Sequence, residues 1–312
     1  MTTAKAMRQV FGETLRELGE AYPELVVLDA DVSSSTQTKL FGEKYPDRFF
    51  NFGIAEANMV AAAAGMATCG LIPVASTFAF LLTLRAGDPV RSLIAYNKLN
   101  VKLAGGYAGL SDFADGASHQ AIFDLAIMRA MPGMTVLVPS DIETTKGAVR
   151  AMLQHNGPVY LRLSRDLVSS YHQGDEEFTI GRAKVIRQGE DVTLVVSGPL
   201  LAEALKSADQ LAEIGVKAEI VEFSSLKPFD AVTLVASAQK TKAVVTLEEH
   251  TIMGGLGGAV AETLGEHSPV KLKRIGINDT FGESGPYQEL LDKFELTAPW
   301  IVKACQELLK SR

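Results

Sequence analysis

Three short stretches hold the side chains that could do chemistry. The first reads NFGIAEANMVAAAAGMATCG, residues 51–70. It sets a carboxylate, Glu56, where a short strand gives way to a helix of small apolar residues. Acids are common at helix starts because they favour the helix dipole. Here Ala61 to Ala64 and Gly65 leave almost no side-chain bulk, so another surface can approach and desolvate the carboxylate. Desolvation disfavours its charge and the helix N-terminus favours it, a balance that suits an acid/base group. The second stretch, DGASHQ (115–120), follows the glycine-bearing loop GGYAGLSDFA. Asp115 or Ser118 can cap a following helix. An aspartate and His119 in such a loop also suit recognition of substrate hydroxyls. The third, LRLSRD (161–166), puts Arg162 and Arg165 just past a strand, where open α/β sheets bind ligands. Arg165 is either a surface ion-pair partner or an anion clamp.

The elements that must position these residues alternate. Strand-like apolar runs fall at 25–28, 49–52, 71–75, 101–104, 135–138 and 159–163. Helical patterns fall at 7–18, 56–69, 119–131 and 143–154. Such alternation predicts a parallel sheet with helices on both faces. A polar, irregular segment follows residue 165. A second series then begins, with strands at 192–197, 217–222, 243–248 and 270–277 and helices at 201–215 and 257–265. The reading is α/β throughout: one domain over 1–165, a linker over 166–187 and a second domain over 188–312.

Composition excludes several classes. The 312 residues carry a net charge of -7 and a pI near 5.4, with no basic stripe, which argues against nucleic-acid binding. No apolar run approaches the ~20 residues of a membrane helix. The N-terminal stretch is amphipathic and does not read as a secretory signal. Cys69 and Cys305 lie far apart without metal spacing and read as free thiols in a reducing cytoplasm. No phosphate-cradling glycine motif of the GxGxxG or GxxxxGK[ST] kind and no metal-ligand cluster is visible. The GGLGG run at 254–258 and the EEH at 248–250 have ordinary structural explanations.

Taken jointly, LDADV (28–32), NFGIAEANM (51–59), STF (76–78), DGASHQA (115–121), MPGMTVLVPSD (131–141), LSR (163–165) and TFGESG (280–285) resemble the C-terminal half of transketolase. The resemblance covers nearly the whole chain. It implies a pyrimidine-binding domain followed by a transketolase C-terminal domain, as in the family's split enzymes, where this half is a separate chain. It also implies transfer of a two-carbon ketol unit from a ketose to an aldose with thiamine diphosphate. Glu56 matches the glutamate that hydrogen-bonds the cofactor's aminopyrimidine and drives its proton exchange. Asp31 matches an aspartate that helps position the cofactor across a dimer interface, and Phe78 an aromatic that packs on the pyrimidine. A second aromatic is expected about three residues on, where Leu81 stands beside Phe80. Asp115 matches a residue that recognises a substrate hydroxyl, and His119 one that contacts oxygens near the reacting carbon. Arg8, Ser35 and Arg165 match a clamp on the terminal phosphate.

The departures cluster around the substrate. Tyr107 stands where the family has a histidine, and Phe113 and Ala114 replace the residues of its usual GEDG. They imply an altered donor or acceptor, such as apulose 4-phosphate or a sulfo-sugar. The family's GDG motif for the diphosphate and Mg²⁺ is absent, and the nearest string, GDE at 174–176, falls in the linker. The expectation is therefore a partner N-terminal subunit that supplies the Mg²⁺ and diphosphate site, in a cytoplasmic α₂β₂ assembly. The alternatives are the β subunit of a 2-oxo acid dehydrogenase, a relative of deoxyxylulose-phosphate synthase, or a non-catalytic paralogue.

Overall fold

The structure, a computed structural model, describes residues 4–172 and 178–310. The GDE string at 174–176 lies outside the described residues. The first sheet has seven strands, in the order Ser225–Lys227, Thr135–Leu137, Val159–Arg162, Lys102–Gly106, Ile72–Phe78, Leu25–Asp29 and Phe49–Asn51. All pairings are parallel except at the first of these strands. The inner strands read as unbroken apolar or small runs because helices cover both faces. Leu25–Asp29 and Lys102–Gly106 are buried at every residue.

Helices Met7–Leu18 and Ile142–Gln154 pack on one face around Phe11, Leu15, Val149 and Met152. Helix Glu56–Thr68 lies on the other, turning Met59, Val60, Ala63 and Ala64 inward. The close approach expected along its small residues stops short of Gly65, which is exposed and would meet nothing within 4 Å if it carried a Cβ.

The second sheet runs Lys271–Ile277, Ala243–Thr251, Val192–Val196, Ala218–Glu222 and Lys184–Arg187, the last antiparallel. Two short strands lie within the segment read as a linker, 166–187. Leu167–Val168 pairs with Lys5–Ala6, and Lys184–Arg187 is already part of the second sheet. The sheets are also joined. Ser225–Lys227 leaves the second series to pair with Thr135–Leu137 on the edge of the first. One apolar cluster runs through both, from Leu125, Met128 and Val136 to Val221, Phe223 and Leu256.

Helices Ala231–Thr241, Tyr287–Lys293 and Ala298–Lys310 complete the second half. The helix expected over 119–131 begins later, at Asp124, and His119 sits in a loop after the short turn Gly116–Ser118. Both cysteines are free, Cys305 buried and Cys69 exposed. No helix among the described residues is long and apolar enough to cross a membrane.

Candidate active site

Every candidate residue but Arg8 leaves the carboxyl end of a parallel strand or the loop that follows it. Glu56 follows Phe49–Asn51; Asp31 and Ser35 follow Leu25–Asp29. Phe78 ends Ile72–Phe78, Tyr107 follows Lys102–Gly106, and Arg165 follows Val159–Arg162. Five adjacent strands therefore deliver their chemistry to one edge, the usual place for a ligand in an open α/β sheet.

A cavity of about 430 Å³ opens there, walled by Asp31, Glu56, Phe78, Phe80, Arg85 and His119 among others. Glu56 is the first residue of its helix and only 3% exposed. Arg85, not singled out from the sequence, places Nη1 3.4 Å from its Oε1 and 3.5 Å from its Oε2. Asp31 adopts a left-handed backbone, φ 64°. Asn51 holds it there by accepting from the Asp31 backbone N–H and donating to its carboxylate, both at 3.0 Å. Phe80, beside Leu81, also turns its ring into this wall. Its ring lies 5.0 Å from His119, while Phe78 lies 6.2 Å from the same imidazole. Ser118 Oγ is 2.9 Å from His119 Nδ1.

A second cluster adjoins the first through Phe78, whose ring meets Tyr107 at 4.5 Å. Gly12 lets helix Met7–Leu18 touch the following segment. A Cβ at that position would lie 2.3 Å from the Gln37 carbonyl oxygen. Arg8, one turn earlier, thereby reaches the Ser35 carbonyl at 3.0 Å and Tyr107 Oη at 2.7 Å. The contact at Ser35 is thus made by its backbone rather than its hydroxyl. Arg165 stacks on Tyr107 and Phe113, 5.1 and 4.8 Å from the ring centres, and donates to Asp112 at 3.2 Å. Asp112 was also missed. It is fully buried, and burial together with neighbouring Asp115 pushes its carboxyl up to about 7, against the pull of Arg165. Asp115 itself is exposed.

The second half of the chain props this loop. Glu249 Oε1 accepts from the Leu110 N–H at 2.6 Å, and its Oε2 accepts from Tyr287 Oη at 2.7 Å. Gln120 donates to the Glu283 carbonyl, and the Gly285 N–H donates to the Phe113 carbonyl. Gly116, at φ 73°, packs so tightly on Ser284 that a Cβ would lie 2.3 Å from its Oγ. Arg162 is not part of the anion cluster. It is buried on Asp124 and the Glu249 carbonyl, and so joins the two halves.

The profile for "Transketolase, pyrimidine binding domain" matches residues 3–170, and that for "Transketolase, C-terminal domain" matches residues 181–301. The chain belongs to the transketolase family. Among similar transketolase chains, one from Methanocaldococcus jannaschii, described as a transketolase C-terminal section, is 47% identical over 98% of this chain and 97% of its own length. A 6-deoxy-6-sulfo-D-fructose transketolase subunit from a Clostridium species is 40% identical over 98% of this chain and 95% of its own. A solved split-gene transketolase, an inactive β4 tetramer, superposes with a TM-score of 0.91 at 46% identity and covers 99% of both chains. The fold and the C-terminal-section assignment read from the sequence agree with these transketolase relatives. Among the described residues, no three His, Cys, Asp or Glu side chains gather where they could hold a metal ion.

Proposed function

We propose that the chain is the C-terminal subunit of a split, thiamine-diphosphate-dependent transketolase. It moves a two-carbon ketol unit from a ketose to an aldose, at a site completed by an N-terminal subunit. Residues 1–165 act as the pyrimidine-binding domain and 188–312 as the C-terminal domain. The observation that carries this reading is Glu56: a buried carboxylate at a helix head, facing a cavity walled by Phe78, Phe80 and His119. An acid for a ring nitrogen and aromatic faces for a flat heterocycle fit an aminopyrimidine. When bound, thiamine diphosphate supplies the nucleophilic carbon on which C–C cleavage depends.

The chain's own residues bind and orient. Glu56 holds and exchanges a proton at the pyrimidine nitrogen. Phe78 and Phe80 set the ring plane. Asp31, braced by Asn51, steadies the cofactor near the assembly interface. His119, its Nδ1 engaged by Ser118, offers Nε2 to substrate oxygens, and Asp115 takes a hydroxyl. Arg8 and Arg165, with the Ser35 backbone and Tyr107 between them, face the substrate's far end. Mg²⁺ and the diphosphate belong to the partner subunit.

Two observations support a partner. The solved split-gene relative is inactive as β4. In addition, apolar side chains stand exposed at the cavity wall and on the turn that carries Arg85: Ile54 at 76% and Leu84 at 52%. Large exposed apolar groups beside a site mark an interaction surface. An α₂β₂ assembly in the cytoplasm is the proposed state. The donor is an unusual ketose, a sulfo-sugar or a phosphate such as apulose 4-phosphate. Calorimetric titration of thiamine diphosphate and Mg²⁺ into the chain, its partner and their mixture tests the assembly. Binding and turnover by the mixture alone are expected, and cofactor binding by the isolated chain refutes the division of labour. A ketose panel tests the substrate, and xylulose 5-phosphate as by far the best donor refutes altered specificity.

A further inference from the structure

Two guanidiniums share one aromatic ring beside the cavity. Arg8 and Arg165 lie 5.5 and 5.1 Å from the centre of the Tyr107 ring, which is seated at a left-handed φ of 58° and packs on Phe78 of the cavity wall. Two such cations make an anion site. This one contains a counter-charge of its own. Asp112 Oδ1 takes a hydrogen bond from Arg165, and Oδ2, fully buried, has no hydrogen-bond partner among the described residues. A carboxylate held there cancels one of the two positive charges. Its repulsion on an incoming anion scales with that anion's charge, so a dianion feels twice the penalty of a monoanion.

We propose that Asp112 narrows this site's preference for a dianionic phosphate over an end group that carries a single negative charge, as a sulfonate does, so that a sulfonate can compete there. This deepens the transketolase reading and rests on it for the ligand's identity as a sugar. The groups that set the local charge are Arg8, Arg165, Asp112 and the exposed Asp115, which acts on Asp112.

The test uses the full chain at pH 8, above the raised value of Asp112, and titrates methanesulfonate and inorganic phosphate separately by NMR. In the native chain, phosphate is expected to bind less than tenfold tighter than methanesulfonate. In Asp112→Asn, phosphate affinity rises by about tenfold and methanesulfonate affinity by only about threefold, because one removed charge acts twice on a dianion. Arg165→Leu abolishes binding of both. A native chain that prefers phosphate tenfold, an unchanged ratio in Asp112→Asn, or binding indifferent to Arg165 overturns the proposal. The native comparison decides even if Asp112→Asn does not fold. Failure of this inference and failure of the reaction are separable. A chain that binds the probes as stated but transfers no ketol unit with its partner refutes the transketolase activity. A working transketolase whose chain favours phosphate tenfold or more refutes the role of Asp112.

Discussion

Glu56 and Arg85 touch, but their pairing is a poor source of stability. The Arg85 side chain is 58% exposed and the contact is 3.4 Å long, so solvent screens most of it and well under ~1 kcal/mol remains. Arg85→Ala is therefore expected to leave the melting temperature within about 2 °C of the native value, as scanning calorimetry can check. Glu56→Gln is a different change. It keeps the size and one hydrogen bond but cannot exchange a proton. In the assembled enzyme it is expected to bind thiamine diphosphate nearly as well as native and to lose at least ~100-fold in ketol transfer. A variant that loses binding and turnover together would assign Glu56 a packing role instead. The burial of Glu56 was legible in the sequence because an acid met a run of alanines at a strand end. Arg85 and Asp112 were not. Their partners stand 29 and 53 residues away, and nothing local announces such contacts.

The loop over 107–120 takes its shape from elements beyond it. Its Leu110 N–H is held by Glu249, a residue of Ala243–Thr251 whose carboxyl burial pushes up to about 7, while Arg162 and its hydrogen bonds from Tyr287 and Leu110 pull the other way. Glu249→Gln keeps one acceptor oxygen where two are used. It is expected to weaken that end of the loop by roughly 1–3 kcal/mol. Faster amide exchange over 107–120 should accompany a higher KM with little change in kcat. Unaltered exchange would mean that the loop stands without this prop. The same dependence explains where reading the sequence failed. The periodicity of HQAIFDLAIMRAM runs back to His119, but Gly116 is pressed on Ser284 and the helix waits until Asp124, whose carboxylate Tyr160 and Arg162 engage. The inner strands were legible because burial on both faces leaves them continuously apolar. Ser225–Lys227 was not, being three residues long and followed by Pro228. The signal for Ala298–Lys310 was present in the spacing of Ile301, Ala304 and Cys305, which all turn inward.

At the scale of the whole molecule, His172 clasps the halves. Its Nδ1 is 3.0 Å from Asp141, which caps helix Ile142–Gln154, and its Nε2 is 2.8 Å from Glu222 at the end of Ala218–Glu222. Burial opposes the imidazolium, but the two carboxylates prevail and push it up to about 9. A raised folded value means that the contribution is complete below the ordinary histidine value of 6.5 and fades as pH rises through 9. His172→Gln is thus expected to cost roughly 3 kcal/mol at pH 6 and far less at pH 10. Melting curves at both pH values check this, and an equal gap at the two would rule out the charge as its source. The edge strand Ser225–Lys227 has a consequence in time. On the ribosome, the last parallel strand of the first sheet ends at Arg162, and the strand that covers its edge ends 65 residues later. At the usual pace of synthesis, Thr135–Leu137 waits about 3 to 13 seconds with open backbone groups. A nascent chain in that interval is a natural client for a chaperone, and slow codons between those points should raise aggregation while leaving the finished protein unchanged.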